Sequence, residues 1–193
     1  MSQGHHNDDD DFGNNTGYKP GEKRSLAELN KLDADDESLA RWKASLGVAS
    51  SGVSKLEDPH NVVVLQLQLL VEGRPDVILD LTQSVEALKQ HSFTIKEGVE
   101  YRLKVVFKVQ HEVVSGLKYR QVVKRMGVTV DKSEEMIGSY AANPQTYEKK
   151  FAVEEAPSGM MARGHYEAKS KFIDDDGTIH KEWNWSFDIK KDW

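Results

Sequence analysis

Along residues 99–109 every odd position is apolar (Val99, Tyr101, Leu103, Val105, Phe107, Val109), whereas the even ones are mostly Glu, Arg and Lys. A period of two predicts a strand with one face in a core and the other in water. The alternation returns near the end of the chain. There Trp183, Trp185, Phe187 and Ile189 face one way, and Glu182, Asn184, Ser186, Asp188 and Lys190 the other. Further strands are predicted over 62–71, 76–81, 118–124, 126–131, 147–153 and 165–173, with a short helix over 84–90. Ser115-Gly116 carries hairpin chemistry and would join 104–114 to 117–124; Asp176-Gly177 would join 165–173 to 179–190. Many short strands with turn residues between them predict an all-β body over 58–193, an immunoglobulin-like β-sandwich.

Upstream of residue 58 the period changes to that of a helix. Ser25 and Glu28 have the spacing of a capping box, and Leu26, Leu29 and Leu32 follow on one face. Asp33 or Asp35 can cap a second helix, in which Leu39, Trp42 and Leu46 form a stripe, Glu37 and Arg41 pair, and Gly47 marks the stop. Helices this short are marginal alone in water and must dock on something. Residues 48–58 read as a tether, and residues 1–24 have almost nothing to bury. The expected organisation is a flexible N-terminal arm with two short helices over 1–57, followed by the body. The stripe of the second helix is expected to complete its folding on a partner.

Charge separates the same two parts. Residues 1–60 hold 12 Asp+Glu against 7 Lys+Arg, the remainder 20 against 19, and the whole chain carries a net charge of -6. An acidic chain without a Lys/Arg cluster suits a basic partner and speaks against nucleic acid. No apolar run approaches the roughly 20 residues of a membrane span. The start is polar and acidic, and there is no cysteine, so a cytoplasmic protein without disulfides or thiolate chemistry is expected. No phosphate loop or nucleophile-elbow motif is present. Asp8–Asp11 reads as a solvated charge run, and Asp174–Asp176 as a turn tip, because calcium loops need alternating carboxylates. His111-Glu112 opens like a zinc-protease motif, but Ser115 stands at the second His position. Neither metal nor cofactor is expected, and a binding protein is favoured over an enzyme. A β-sandwich hydrolase is the enzyme-class alternative. The aromatic stripe of Trp183 and Trp185 has two readings. It fills a core, or it props the sheets apart and lines a slot, with Met160, Met161 and Ala168 on the opposite wall.

The strings themselves resemble a known family. Tyr18-Lys19-Pro20, Leu32-Asp33 and Asp35-Asp36-Glu37-Ser38-Leu39 resemble the arm of Rho GDP-dissociation inhibitors. Ser92-Phe93, Lys96-Glu97-Gly98-Val99-Glu100-Tyr101-Arg102, Val114-Ser115-Gly116 and Val153-Glu154-Glu155-Ala156-Pro157 are similar to its body. So are Ala162-Arg163-Gly164, Asp174-Asp175-Asp176, Trp183-Asn184-Trp185 and Lys190-Lys191-Asp192-Trp193. Gly21 stands where a second Pro is common, Trp42 where Tyr is familiar, and Met161 and Ala168 where aliphatic residues are.

The resemblance implies a regulator of prenylated Rho/Rac-type small GTPases in the GDP-bound form. It would slow GDP release and extract its partner from membranes, sheltering the partner's geranylgeranyl group between the sheets. By this resemblance Asp36, Leu39, Trp42 and Leu46 would bind the GTPase switch regions. Leu67, Phe93, Tyr101, Val113, Met161, Ala168, Trp183 and Trp185 would line the prenyl pocket. Glu154 and Glu155 would meet the GTPase's basic tail. A monomer, or a heterodimer with the GTPase, and a transient encounter with the membrane surface are implied. The alternative within the binding class is a general lipid chaperone without nucleotide regulation.

Overall fold

A computed structural model describes residues 58–193 together with Glu37 and Ser38, which are helical and exposed. The readings of Asp36, Leu39, Trp42 and Leu46, and of the arm around them, lie outside the described residues.

The described body has strands β1 (Val62–Val71), β2 (Val77–Asp80), β3 (Ser92–Lys96), β4 (Glu100–Val109), β5 (Val114–Arg125), β6 (Val128–Tyr140), β7 (Tyr147–Glu155), β8 (Gly164–Ile173) and β9 (Ile179–Lys190). One helix, α1 (Val85–Gln90), lies between β2 and β3. Two sheets form the sandwich, a four-stranded one in the order β2-β1-β4-β7 and a five-stranded one in the order β3-β9-β8-β5-β6. All strand pairs are antiparallel except β3 with β9. The all-β sandwich predicted from alternation over 58–193 is what these described residues form.

Period-two patterning explains the inner faces. Leu103, Val105, Phe107 and Val109 of β4 are buried, as are Trp183, Trp185, Phe187 and Ile189 of β9. In β1 the buried set changes from Val62 and Val64 to Leu67 and Leu69, because a bulge between Val64 and Gln66 shifts the phase by one residue. Helix α1 is capped by Ser84, whose Oγ accepts from the Ala87 amide at 3.3 Å.

The Asp176-Gly177 turn joins β8 to β9 as predicted, with Gly177 at φ 81° and its amide donating to the Asp174 carbonyl at 3.0 Å. The Ser115-Gly116 reading is corrected. The chain changes sheets between β4 and β5, and Ser115-Gly116 lies within β5 at a bulge between Val114 and Leu117. Gly116 has φ 59°, in the left-handed region that favours glycine, and a Cβ there would stand 1.7 Å from the Asp175 carboxylate, which would have to move aside. The hairpin that does follow uses Met126-Gly127 to join β5 to β6.

Candidate functional site

The two sheets part at one end and leave a cleft of about 550 Å³. Such a volume lies within the ~300–1,000 Å³ of ordinary small-molecule sites. Tyr101 and Leu103 of β4, with Glu154 and Glu155 of β7, form the wall from the four-stranded sheet. Facing them are Gln121, Val123 and Arg125 of β5, Val130, Asp131 and Ser133 of β6, Tyr166 of β8, and Trp185, Phe187 and Ile189 of β9. Ile95, Ala156 and Pro157 complete the lining. Apart from Val130 of the edge strand β6, the apolar side chains come from the inward faces of their strands, so the alternation that builds the core also builds these walls.

The inner end is shut by rings and hydrogen bonds. Tyr119 of β5 stacks on Phe151 of β7 with centroids 4.6 Å apart. The Tyr119 hydroxyl donates to Gln121 Oε1 at 2.6 Å and shares a 2.9 Å bond with Ser170 Oγ, which also accepts from Trp185 Nε1 at 2.9 Å. Burial pushes the Tyr119 phenol above its ordinary pKa, so it stays a neutral hydroxyl. Trp183 lies beyond this layer against Tyr119 and Phe172, at 6.0 and 6.1 Å. Its Nε1 is the one buried side-chain polar atom among the described residues without a hydrogen-bond partner.

The outer end is acidic and braced. The Tyr101 hydroxyl donates to Glu154 Oε2 at 2.5 Å, and burial together with that carboxylate raises its pKa. The turn after β7 is tied down by Glu97, which accepts from Arg163 Nε at 2.9 Å, Arg163 Nη2 at 2.6 Å and the Gly159 amide at 2.9 Å. The Arg163 guanidinium holds the Glu97 carboxyl below its ordinary pKa, and Glu97 raises that of Arg163 in return. From β5, Arg125 donates to the carbonyl oxygens of Met161 and Arg163, the latter at 2.6 Å. No cluster that could hold a metal occurs among the described residues, and no helix there is long and apolar enough to cross a membrane.

A gap between two sheets, apolar inside and carboxylate-rimmed, can take a long hydrocarbon attached to a basic segment. The sequence agrees with one family throughout. The family model described as RHO protein GDP dissociation inhibitor matches residues 3–192. The chain belongs to the Rho GDP-dissociation inhibitor family. It is 50% identical over 188 residues to the Rho GDP-dissociation inhibitor of Schizosaccharomyces pombe, covering 96% of this chain and 92% of that one. To the Saccharomyces cerevisiae protein of the same name it is 49% identical, with 92% of each chain covered. The human Rho GDP-dissociation inhibitor 1 is 48% identical, over 91% of this chain and 86% of its own.

In this family member the residues expected to form the prenyl pocket fall into three groups. Tyr101 and Trp185 line the cleft, and Phe93 packs behind Trp185 at 5.4 Å. Leu67, Ala168 and Trp183 are buried in the core and do not line it. Ala168 is the register partner of Trp185 on the neighbouring strand, so it stands beside the tryptophans; the opposite-wall reading is corrected, and Tyr101 and Leu103 occupy that place. Met160 and Met161 are also off that wall, 83% and 87% exposed on the turn held by Glu97. Val113, 39% exposed, precedes β5 at the end away from the cleft. Glu154 and Glu155 are both on the rim. Missed in the sequence were Gln121, Val123, Arg125 and Tyr166. Leu103 was legible in the alternation, but nothing local distinguishes Arg125 from any strand-end arginine.

Proposed function

We propose that this chain binds prenylated Rho-family GTPases in the GDP-bound form, slows their GDP release and shelters the geranylgeranyl chain in the cleft. The supporting observation is an apolar cleft with a carboxylate rim in a member of a family named for inhibiting GDP dissociation. The partner class follows from the relatives' name. Such an activity is regulatory and needs no catalytic group.

Two acts are combined. Asp36, Leu39, Trp42 and Leu46 of the arm engage the switch loops, which must open for nucleotide to leave; binding the closed loops more tightly slows release. The body takes the lipid. Burial is worth ~0.8 kcal/mol per CH2 in bilayer or cleft alike, so the transfer of the chain is close to neutral. The balance is therefore set by protein contacts, including Glu154 and Glu155 against the GTPase's basic tail, in competition with anionic lipid. Tyr101 places its ring on the hydrocarbon and turns its hydroxyl to Glu154, which orients that carboxylate at the mouth.

The test is release of fluorescent GDP from a geranylgeranylated Rho-type GTPase. The full chain should slow release, and Asp36→Ala or Trp42→Ala should relieve that effect while uptake of a geranylgeranylated peptide persists. Peptide uptake with no effect on GDP release would select the general lipid chaperone instead.

A further inference from the structure

Two separate tips beside the cleft mouth expose apolar side chains that the fold does not need. The first is the β5–β6 hairpin. Arg125 and Val128 are register partners, so Met126-Gly127 is a two-residue loop, and both residues have positive φ, 50° and 78°. Turns of this kind favour Asn, Asp or Gly at the first position. Here a methionine occupies it, in a backbone region that non-glycine residues seldom adopt, with its side chain 91% exposed. Val128 and Val130 follow it, both exposed. The second tip is the turn bearing Met160.

Arg125 fastens the two tips together, since it ends β5 next to Met126 and donates to the Met161 and Arg163 carbonyls. Glu97 fixes the second turn from the other side through Gly159 and Arg163. These methionines are thus held in water by a braced scaffold. They form no groove, and they flank a cleft whose lining includes Val130 and Arg125.

We infer that Met126 and Met160 are the tips by which the cleft mouth seats on a lipid bilayer, entering the boundary between headgroups and hydrocarbon. The inference rests on the proposed function, because a prenyl chain that crossed from bilayer to cleft through water would expose its whole apolar length. A mouth touching the bilayer removes that step. Flexible, unbranched methionine suits an irregular and shifting apolar surface. Arg125 faces three carboxylates at the mouth, Asp131, Glu154 and Glu155, so lipid charge does not supply the attraction and the apolar tips carry the contact.

The chain has no cysteine, so a single introduced one can carry an environment-sensitive dye. Full-length Met126→Cys and Met160→Cys, labelled and mixed with phosphatidylcholine vesicles, should shift their emission to the blue. Gln145→Cys, at the far end of the sandwich, should not. Met126→Ser with Met160→Ser should slow extraction of a geranylgeranylated peptide from those vesicles by about tenfold, since each loses an apolar contact. Binding of the same peptide in detergent-free solution should be unchanged. No dye shift, or extraction unaffected by the double substitution, overturns the inference. A shift caused by unprenylated GTPase without vesicles also overturns it and makes the tips a protein contact. Failure of the unsubstituted chain to bind the soluble peptide would count against the proposed function instead, and the dye result would still decide whether the tips enter a bilayer.

Discussion

The two ends of the sandwich use the same kinds of residue to opposite effect. At the closed end aromatic rings cross from sheet to sheet. Phe107 of the four-stranded sheet meets Tyr140 at 5.1 Å and Phe172 at 5.6 Å, both from the five-stranded one, and Tyr140 meets Tyr147 at 4.7 Å. At the open end the ring contacts among Phe93, Trp185, Phe187 and Tyr166 all stay within the five-stranded sheet, from 5.1 to 5.5 Å. Rings that span the gap make a core. Rings that stack along one wall leave the gap for a guest. Hydrophobic patterning is equal in the two cases, so the difference lies in who faces whom across the layers.

That contrast can be broken at several strengths. The largest effect is expected at the closed end: Phe107→Ala should cost ~3–5 kcal/mol in denaturant unfolding, whereas Tyr101→Ala, half in the cleft, should cost less than about 2 kcal/mol. Equal losses would show that the two ends are packed alike. Next, Val123→Trp should fill the cleft and weaken uptake of a geranylgeranylated peptide at least ~10-fold, at an overpacking cost of ~1–3 kcal/mol. Uptake unchanged by that side chain would move the lipid elsewhere.

A smaller effect concerns the brace. The folded-state pKa of Glu97 is depressed, chiefly by its hydrogen bonds from Arg163, so its contribution is present above the ordinary carboxylate range. It should be lost as pH falls through that range and below. Protection of the amides over 158–163, taken relative to their intrinsic exchange rate at each pH, should therefore fall in acid, and Glu97→Gln should lower it at neutral pH and flatten the acid response. Smallest is Tyr101→Phe, which removes the bond to Glu154 and leaves the ring. Peptide affinity, measured by titration, should change no more than about tenfold, in line with a single hydrogen bond to a charged group near water.

Much of the body was legible because its signals are local. Alternation in β4 and β9, the Asp176-Gly177 turn and the short helix after residue 84 each act within a few residues. Ser115-Gly116 misled because the same dipeptide chemistry serves a bulge when the preceding strand belongs to the other sheet. Strand β3 carried no usable signal: it has five residues and pairs in parallel with β9, far along the chain. The Met126-Gly127 turn was hidden by an apolar residue where turn chemistry favours a polar one. For the cleft, alternation correctly turned Tyr101, Trp183 and Trp185 inward. It could not say that Trp185 meets the cleft while Trp183, two residues on the same face, meets Tyr119 and Phe172. That distinction is a contact between layers, and period two contains no information about the other layer.

The most direct measurement uses those two tryptophans. A geranylgeranylated peptide added to the full chain should change tryptophan emission, because Trp185 lines the cleft and Trp183 lies behind the Tyr119 layer. With Trp183→Phe most of that change should survive at unchanged peptide affinity. With Trp185→Phe it should largely disappear although the peptide still binds. The reverse pattern, a response carried by Trp183 and indifferent to Trp185, would put the lipid in the packed core and contradict the division between the two ends.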